Sequence, residues 1–90
     1  MAHDVLIVDD EADIRMMITG ILEDEGYACR SAANSDAALR TVRERAPSVV
    51  LLDIWLANSA QDGLELLQVL MAEQPEVPVN MMSGHGTSES

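Results

Sequence analysis

The 90-residue chain contains no phenylalanine, one tryptophan and one tyrosine. Aliphatic side chains and six methionines must therefore fill its core. Cysteine occurs once, as Cys29. An internal disulfide is excluded, and the usage suits a reducing compartment. Cys29 itself reads as a small buried or half-buried hydrophobe. Basic residues are scarce: five Lys+Arg against sixteen Asp+Glu give a formal net charge of −11. That balance argues against direct contact with nucleic acid, which calls for a basic patch. It argues equally against an anionic membrane surface. No apolar run approaches the roughly 20 residues of a membrane span. Asp4 and the acids from Asp9 onward interrupt the N-terminus where a signal peptide would be apolar. A cytoplasmic location is expected. No repeat, low-complexity tract or linker divides the chain, so one small domain is expected over 1–90. At this size roughly 60–65 % of the unfolded surface is buried on folding.

The strongest local signal is Val49-Val50-Leu51-Leu52-Asp53, a short apolar run ending in a carboxylate. Such a run is what a strand covered on both faces looks like. Val5-Leu6-Ile7-Val8, running into Asp9-Asp10-Glu11, repeats the pattern. Between them, Ile14, Met17, Ile18, Ile21 and Leu22 recur at helical spacing as one apolar stripe. Arg15, Thr19, Glu23 and Asp24 fill the other side. Asp10 or Glu11 lies near the helix's positive end, and Gly26 is placed to end it in a left-handed turn. Tyr27 to Ala32 reads as a weaker strand at a sheet edge. Asn34, Ser35 and Asp36 are cap-type residues. A second helix is expected from about Asp36 to Arg45, with Ala38, Leu39 and Val42 inward and Pro47 as its stop. After the strand at Asp53 comes a polar loop, Ala57 to Asp62, and then a third helix. Leu64, Leu67 and Met71 mark that helix, with Leu66 and Leu70 beside them. Pro75 and Pro78 bracket its exit, and Val79 to Met82 forms a fourth strand leading to Ser83-Gly84-His85-Gly86. Strands alternating with helices imply an α/β fold with a parallel sheet.

In open parallel sheets, ligands bind at the rim where the strands end. Asp9, Asp10 and Asp53 fall on that rim. Gathered there, three carboxylates repel one another, and a divalent cation would turn the repulsion into attraction. Oxygen-only ligands without Cys or His favour Mg²⁺, or Mn²⁺ or Ca²⁺, over Zn²⁺. Mg²⁺ takes one or two carboxylates, keeps waters and uses other positions for phosphoryl oxygen. The chemistry that fits is phosphoryl transfer, with one carboxylate as nucleophile. Ser83 reaches the same rim, where its hydroxyl can donate to a phosphoryl oxygen, and Gly84 leaves room for that group. His3 and His85 do not make a ligand cluster and are expected to be solvated or in loops.

Val5-Leu6-Ile7-Val8-Asp9-Asp10-Glu11, Leu51-Leu52-Asp53-Ile54, Asp62-Gly63 and Met82-Ser83-Gly84 together resemble the receiver domain of two-component response regulators. The run Asp53-Ile54-Trp55-Leu56, the long loop to Asp62-Gly63 and Ser83-Gly84-His85-Gly86 are most similar to nitrogen-regulation regulators of the NtrX type. The resemblance implies a doubly wound, flavodoxin-like (CheY-like) parallel sheet with strand order 2-1-3-4. It implies that Asp53 accepts the phosphoryl group from a sensor histidine kinase. Asp10 would bind Mg²⁺ directly and Asp9 partly through water, with the backbone carbonyl of Trp55 completing the protein's share of the metal shell. Ser83 would be the hydroxyl that moves toward the phosphoryl group when the domain switches. Such a domain assists its own phosphorylation and turns over no separate substrate. The NtrX-like look implies transcriptional regulation through downstream domains, and homodimer formation is open to it.

Three features depart from the family's pattern. The loop after Asp53 lacks the usual proline and is extended. Asn80 stands where an aliphatic residue is expected, so its amide must be paired or exposed. The family's fifth strand, its lysine and its last helices lie beyond Ser90, so the receiver domain is expected to be C-terminally incomplete. Three other readings compete. A haloacid dehalogenase-type phosphatase needs Asp-x-Asp, whereas Trp55 is the second residue after Asp53. A dinucleotide site needs glycines where Asp9-Asp10-Glu11 stand. A non-catalytic interaction module would associate through the fourth strand or Met81-Met82.

Overall fold

In the computed structural model the described residues are 3–53 and 63–82. They form β1 (Asp4–Val8), α1 (Ala12–Asp24), β2 (Ala28–Ala32), α2 (Ser35–Glu44), β3 (Val49–Asp53), α3 (Gly63–Glu73) and β4 (Val79–Met82). The four strands make one parallel sheet in the order β2-β1-β3-β4. The two most apolar strands, β1 and β3, therefore lie at its centre, and the weaker β2 is at an edge as expected.

Alternation along the strands assigns each face its cover. Leu6, Val8, Ala32, Val50 and Leu52 point to one side. There they form a single core with Ala38 and Val42 of α2 and with Leu66 and Leu70 of α3. Val5 and Ile7 are buried on the opposite side, where α1 packs on β1 and β2.

Local chemistry sets the helix ends. Asn34 caps α2 by accepting the Ala37 N–H at 2.8 Å. Gly26, at φ 96°, ends α1. Around it, Tyr27 N–H donates to Leu22 O and Gly26 N–H to Glu23 O, each at 3.0 Å. This is the paired closure that a left-handed residue after a helix makes possible.

Packing corrects two helical stripes. In α1, Ile14, Ile18 and Leu22 are half-buried, while Met17 and Ile21 are 54 % and 57 % exposed. The helix covers β1 and β2, so the flank carrying Met17 and Ile21 has no described element over it. In α3 the buried line is Gly63, Leu66 and Leu70, while Leu64 and Met71 are exposed. Nearly every side of that helix is apolar, so periodicity alone could not choose its inner face. Asn80 is exposed, which resolves its two alternatives without a buried amide.

A polar clamp ties the opposite end of the sheet to α2. Arg30 Nε donates to Asp4 Oδ1 at 3.1 Å and Nη2 to Asp4 Oδ2; Nη1 and Nη2 also reach the carbonyls of Thr41 and Arg45. Burial pushes the Asp4 carboxyl up, but the hydrogen bond and charge of Arg30, with Arg45 behind, outweigh it and hold it below its usual range.

Candidate acidic metal centre

Parallel pairing brings the ends of β1 and β3 side by side, with Val8 opposite Leu52. The residues that follow in register, Asp9 and Asp53, therefore leave the sheet at one rim. Asp9 is still tied to the sheet, its N–H donating to Ala32 O at 3.1 Å. Alternation puts the Asp9 and Asp53 side chains on the α1 side with Ile7 and Leu51. Asp10 joins them from the β1–α1 turn. Asp9, Asp10 and Asp53 each present a carboxylate oxygen, and these oxygens all lie within 4.8 Å of one another. The convergence expected from the sequence is present.

The site is half out of water. Asp9 is 5 % and Asp53 2 % exposed, and Asp10 is intermediate. Burial raises the Asp9 carboxyl above its usual value; the Glu11 N–H hydrogen bond pulls it back, and the charges of Asp53, Asp10 and Glu11 raise it further. The molecule thus holds like charges together in a poorly solvated place, an arrangement that structural carboxylates avoid unless a cation or proton is shared.

The turn that carries the two leading carboxylates is bonded at several points. Asp9 Oδ1 accepts the Glu11 N–H at 2.8 Å. The Asp9 carbonyl accepts Arg15 Nη1–H at 2.7 Å. Arg15 reads from the sequence as part of the solvated side of α1. The structure instead brings its guanidinium back to the turn, and Arg15 lines an open groove with Ala12, Met16, Thr19, Glu23 and Ser31. A polar residue one turn into a helix carries no sequence mark that it will bend back toward the strand before it.

The donor set is all oxygen, from three carboxylates within reach of one small ion. It fits a hard cation of the Mg²⁺ kind. Trp55 and Ser83 lie outside the described residues, as do the polar loop Ala57 to Asp62, the Ser83-Gly84-His85-Gly86 stretch and any helix start from Thr87. His3 is exposed, its ring 6.1 Å from that of Tyr27 and tilted. Cys29 is half-buried, and burial, followed by the charges of Glu23 and Asp4, pushes its thiol up. Its half-burial fits the small hydrophobe expected.

Residues 5–90 match the response regulator receiver domain family. The chain is similar over its whole length to the nitrogen assimilation regulatory protein NtrX of Azorhizobium caulinodans, with 57 % identity over 90 residues covering 20 % of that protein. Among solved structures, NtrX from Brucella abortus in complex with ATP superposes with a TM-score of 0.91 at 53 % identity, covering 97 % of this chain and 20 % of that one. The receiver domain of the same Brucella protein gives a TM-score of 0.88 at 53 % identity, covering 92 % of this chain and 69 % of that one. The chain thus spans about one fifth of the length of the NtrX relatives it matches.

Proposed function

Because this chain belongs to the response regulator receiver domain family, we propose that it is a phosphoacceptor module with Asp53 as the acceptor and a sensor histidine kinase as the donor. The observation that carries the reading is the convergence of Asp9, Asp10 and Asp53 at the carboxyl rim of the sheet. In the proposed step an Asp53 carboxylate oxygen attacks the phosphorus of a phosphohistidine. The P–N bond breaks, its electron pair goes to the imidazole nitrogen, and an acyl phosphate remains on Asp53. Asp9 and Asp10, with Asp53 and the Trp55 carbonyl, would hold Mg²⁺, which supplies charge neutralisation to the transferring phosphoryl group. The Ser83 hydroxyl would donate to a phosphoryl oxygen after transfer.

Two-component signalling in the cytoplasm, with transcription regulated through domains downstream of this one, is the setting the NtrX relatives suggest. The protein would not turn over a separate substrate. The test is incubation with acetyl phosphate or a histidine kinase and Mg²⁺, followed by analysis for hydroxylamine-labile phosphate. Label that depends on Asp53 is expected. Equal label on the Asp53→Asn variant, or none on the wild type, would overturn the proposal.

A second reading, self-association, draws on the exposed Met17 and Ile21 flank of α1 and on β4, which is at the sheet edge among the described residues and whose Met81 and Met82 are half-buried. Light scattering over a concentration series checks it. A mass that stays at one chain throughout would discard it.

A further inference from the structure

We infer that Arg15 is a positioning residue for the metal-binding turn: its guanidinium fixes the Asp9 carbonyl and thereby aims the Asp9 and Asp10 carboxylates at a shared divalent cation. The inference rests on the metal reading of the acidic centre and adds to it a residue that touches neither metal nor phosphoryl group.

Three features of the turn support it. Asp9 is held on each side of its own Cα, by Ala32 O on its N–H and by Arg15 Nη1 on its carbonyl, at 3.1 and 2.7 Å. Its side chain is held as well, by the Glu11 N–H at 2.8 Å. Of these contacts, the Arg15 bond alone comes from a side chain, reaching across from the first turns of α1. The peptide plane joining Asp9 to Asp10 contains that carbonyl, so its orientation sets where Asp10 leaves the turn. Finally, Arg15 sits where a helix disfavours positive charge, near the N-terminal end of α1. Its placement works against the helix dipole and is compensated by the bond across the turn. The arrangement matches the general case in which groups behind metal ligands orient them.

Charge and positioning make opposite predictions for Arg15→Met. A guanidinium beside a cation site repels the incoming ion, so removing it for charge alone would tighten Mg²⁺ binding. Removing the bond to the Asp9 carbonyl would loosen the turn and weaken binding. We expect weakening of about tenfold, the low end for groups behind metal ligands. Arg15→Lys keeps the charge and a donor for the Asp9 carbonyl and is expected to recover most of the lost affinity.

The experiment is calorimetric titration of the 90-residue chain with MgCl₂ at fixed ionic strength, alongside metal-free melting curves. A Kd raised about tenfold in Arg15→Met and recovered in Arg15→Lys supports the inference. An unchanged or lowered Kd in Arg15→Met overturns it and leaves the metal reading intact. Absence of Mg²⁺ binding by the wild type overturns the metal reading and this inference with it. If Arg15→Met does not fold, Arg15→Gln is titrated in its place, and the same two outcomes for its Kd decide.

Discussion

Replacing Asp9 by asparagine probes the energy stored in the acidic centre. One carboxylate oxygen from each of Asp9, Asp10 and Asp53 lies within 4.8 Å of the other two, with Asp9 and Asp53 almost fully buried. Two unit charges about 5 Å apart repel by roughly 3 kcal/mol at an effective dielectric constant near 20. Asp9→Asn removes its repulsion with both neighbours and the desolvation of its own charge. It retains an Oδ1 acceptor for the Glu11 N–H, so the turn keeps its bond. Solvent at the half-exposed Asp10 and relaxation of the side chains reduce the repulsion that is realised. The metal-free variant should therefore gain about 1–3 kcal/mol at pH 7. In a domain of this size that is about 5–20 °C in Tm.

The pH dependence has a definite sign. A carboxyl raised in the folded state contributes its stability fully below the ordinary unfolded value of about 3.9 and loses it as pH rises through the raised folded value. The advantage of asparagine should accordingly be present at neutral pH and vanish in acid, once the wild-type Asp9 is protonated. Mg²⁺ opposes this gain. At a hundred times Kd the ion adds about 2.7 kcal/mol to the wild type by mass action, and it should add much less to Asp9→Asn. Melting curves followed by circular dichroism, with and without millimolar MgCl₂, measure all three effects. A metal-free Asp9→Asn that melts at or below wild type at pH 7, or that keeps the full Mg²⁺ shift, would refute the account.

Further outcomes follow from the rest of the fold. Gly20 lies mid-helix in α1, has no positive φ, and leaves the space a methyl group would take clear of other parts of the protein within 4 Å, its chain neighbours and own helix backbone aside, so Gly20→Ala should stabilise by about 0.5–1 kcal/mol in denaturant titration. Gly26→Ala should cost about 1 kcal/mol in the same measurement, because φ 96° strains any residue with a Cβ. Leu66 is fully buried between α3 and the sheet, and Leu66→Ala should cost about 2–5 kcal/mol. Asp4, held below its usual value by Arg30 and Arg45 against burial, contributes stability above the unfolded carboxyl value that is lost as pH falls through its folded one. Asp4→Asn should lower stability by about 1.5–3 kcal/mol at pH 7 and by less in acid, as read from urea midpoints at each pH.

Much of this protein is written locally. The apolar runs Val5–Val8 and Val49–Leu52 need no partner information to be read as buried strands, because a strand covered on both faces tolerates few polar residues. Asp9, Asp10 and Asp53 stand out because carboxylates directly follow such runs, and a strand's end is fixed by its own length. Gly26 and Asn34 mark helix ends through backbone chemistry confined to a few residues. The alternation of elements and the sequence likeness to receiver domains then carry the fold, the strand order and the place of the site.

Other features were decided in three dimensions. The leucines of α3 lie on nearly all sides of the helix, and only the seat on the sheet selected Leu66 and Leu70 as the inner pair. Met17 and Ile21 share the apolar stripe of α1 with Ile18, yet the position of the helix over β1 and β2 left them exposed. Asn80, unexpected in a strand, is accommodated because its side of β4 faces outward. The clamp of Arg30 on Asp4 spans 26 positions, and no periodic signal links residues that meet only through strand register. The fold of Arg15 back onto Asp9 depends on the angle at which α1 leaves β1. Sequence determined which chemical groups stand at the ends of which elements, since that depends on near neighbours in the chain. Tertiary structure decided which of those groups touch, since contact depends on packing between elements distant in sequence.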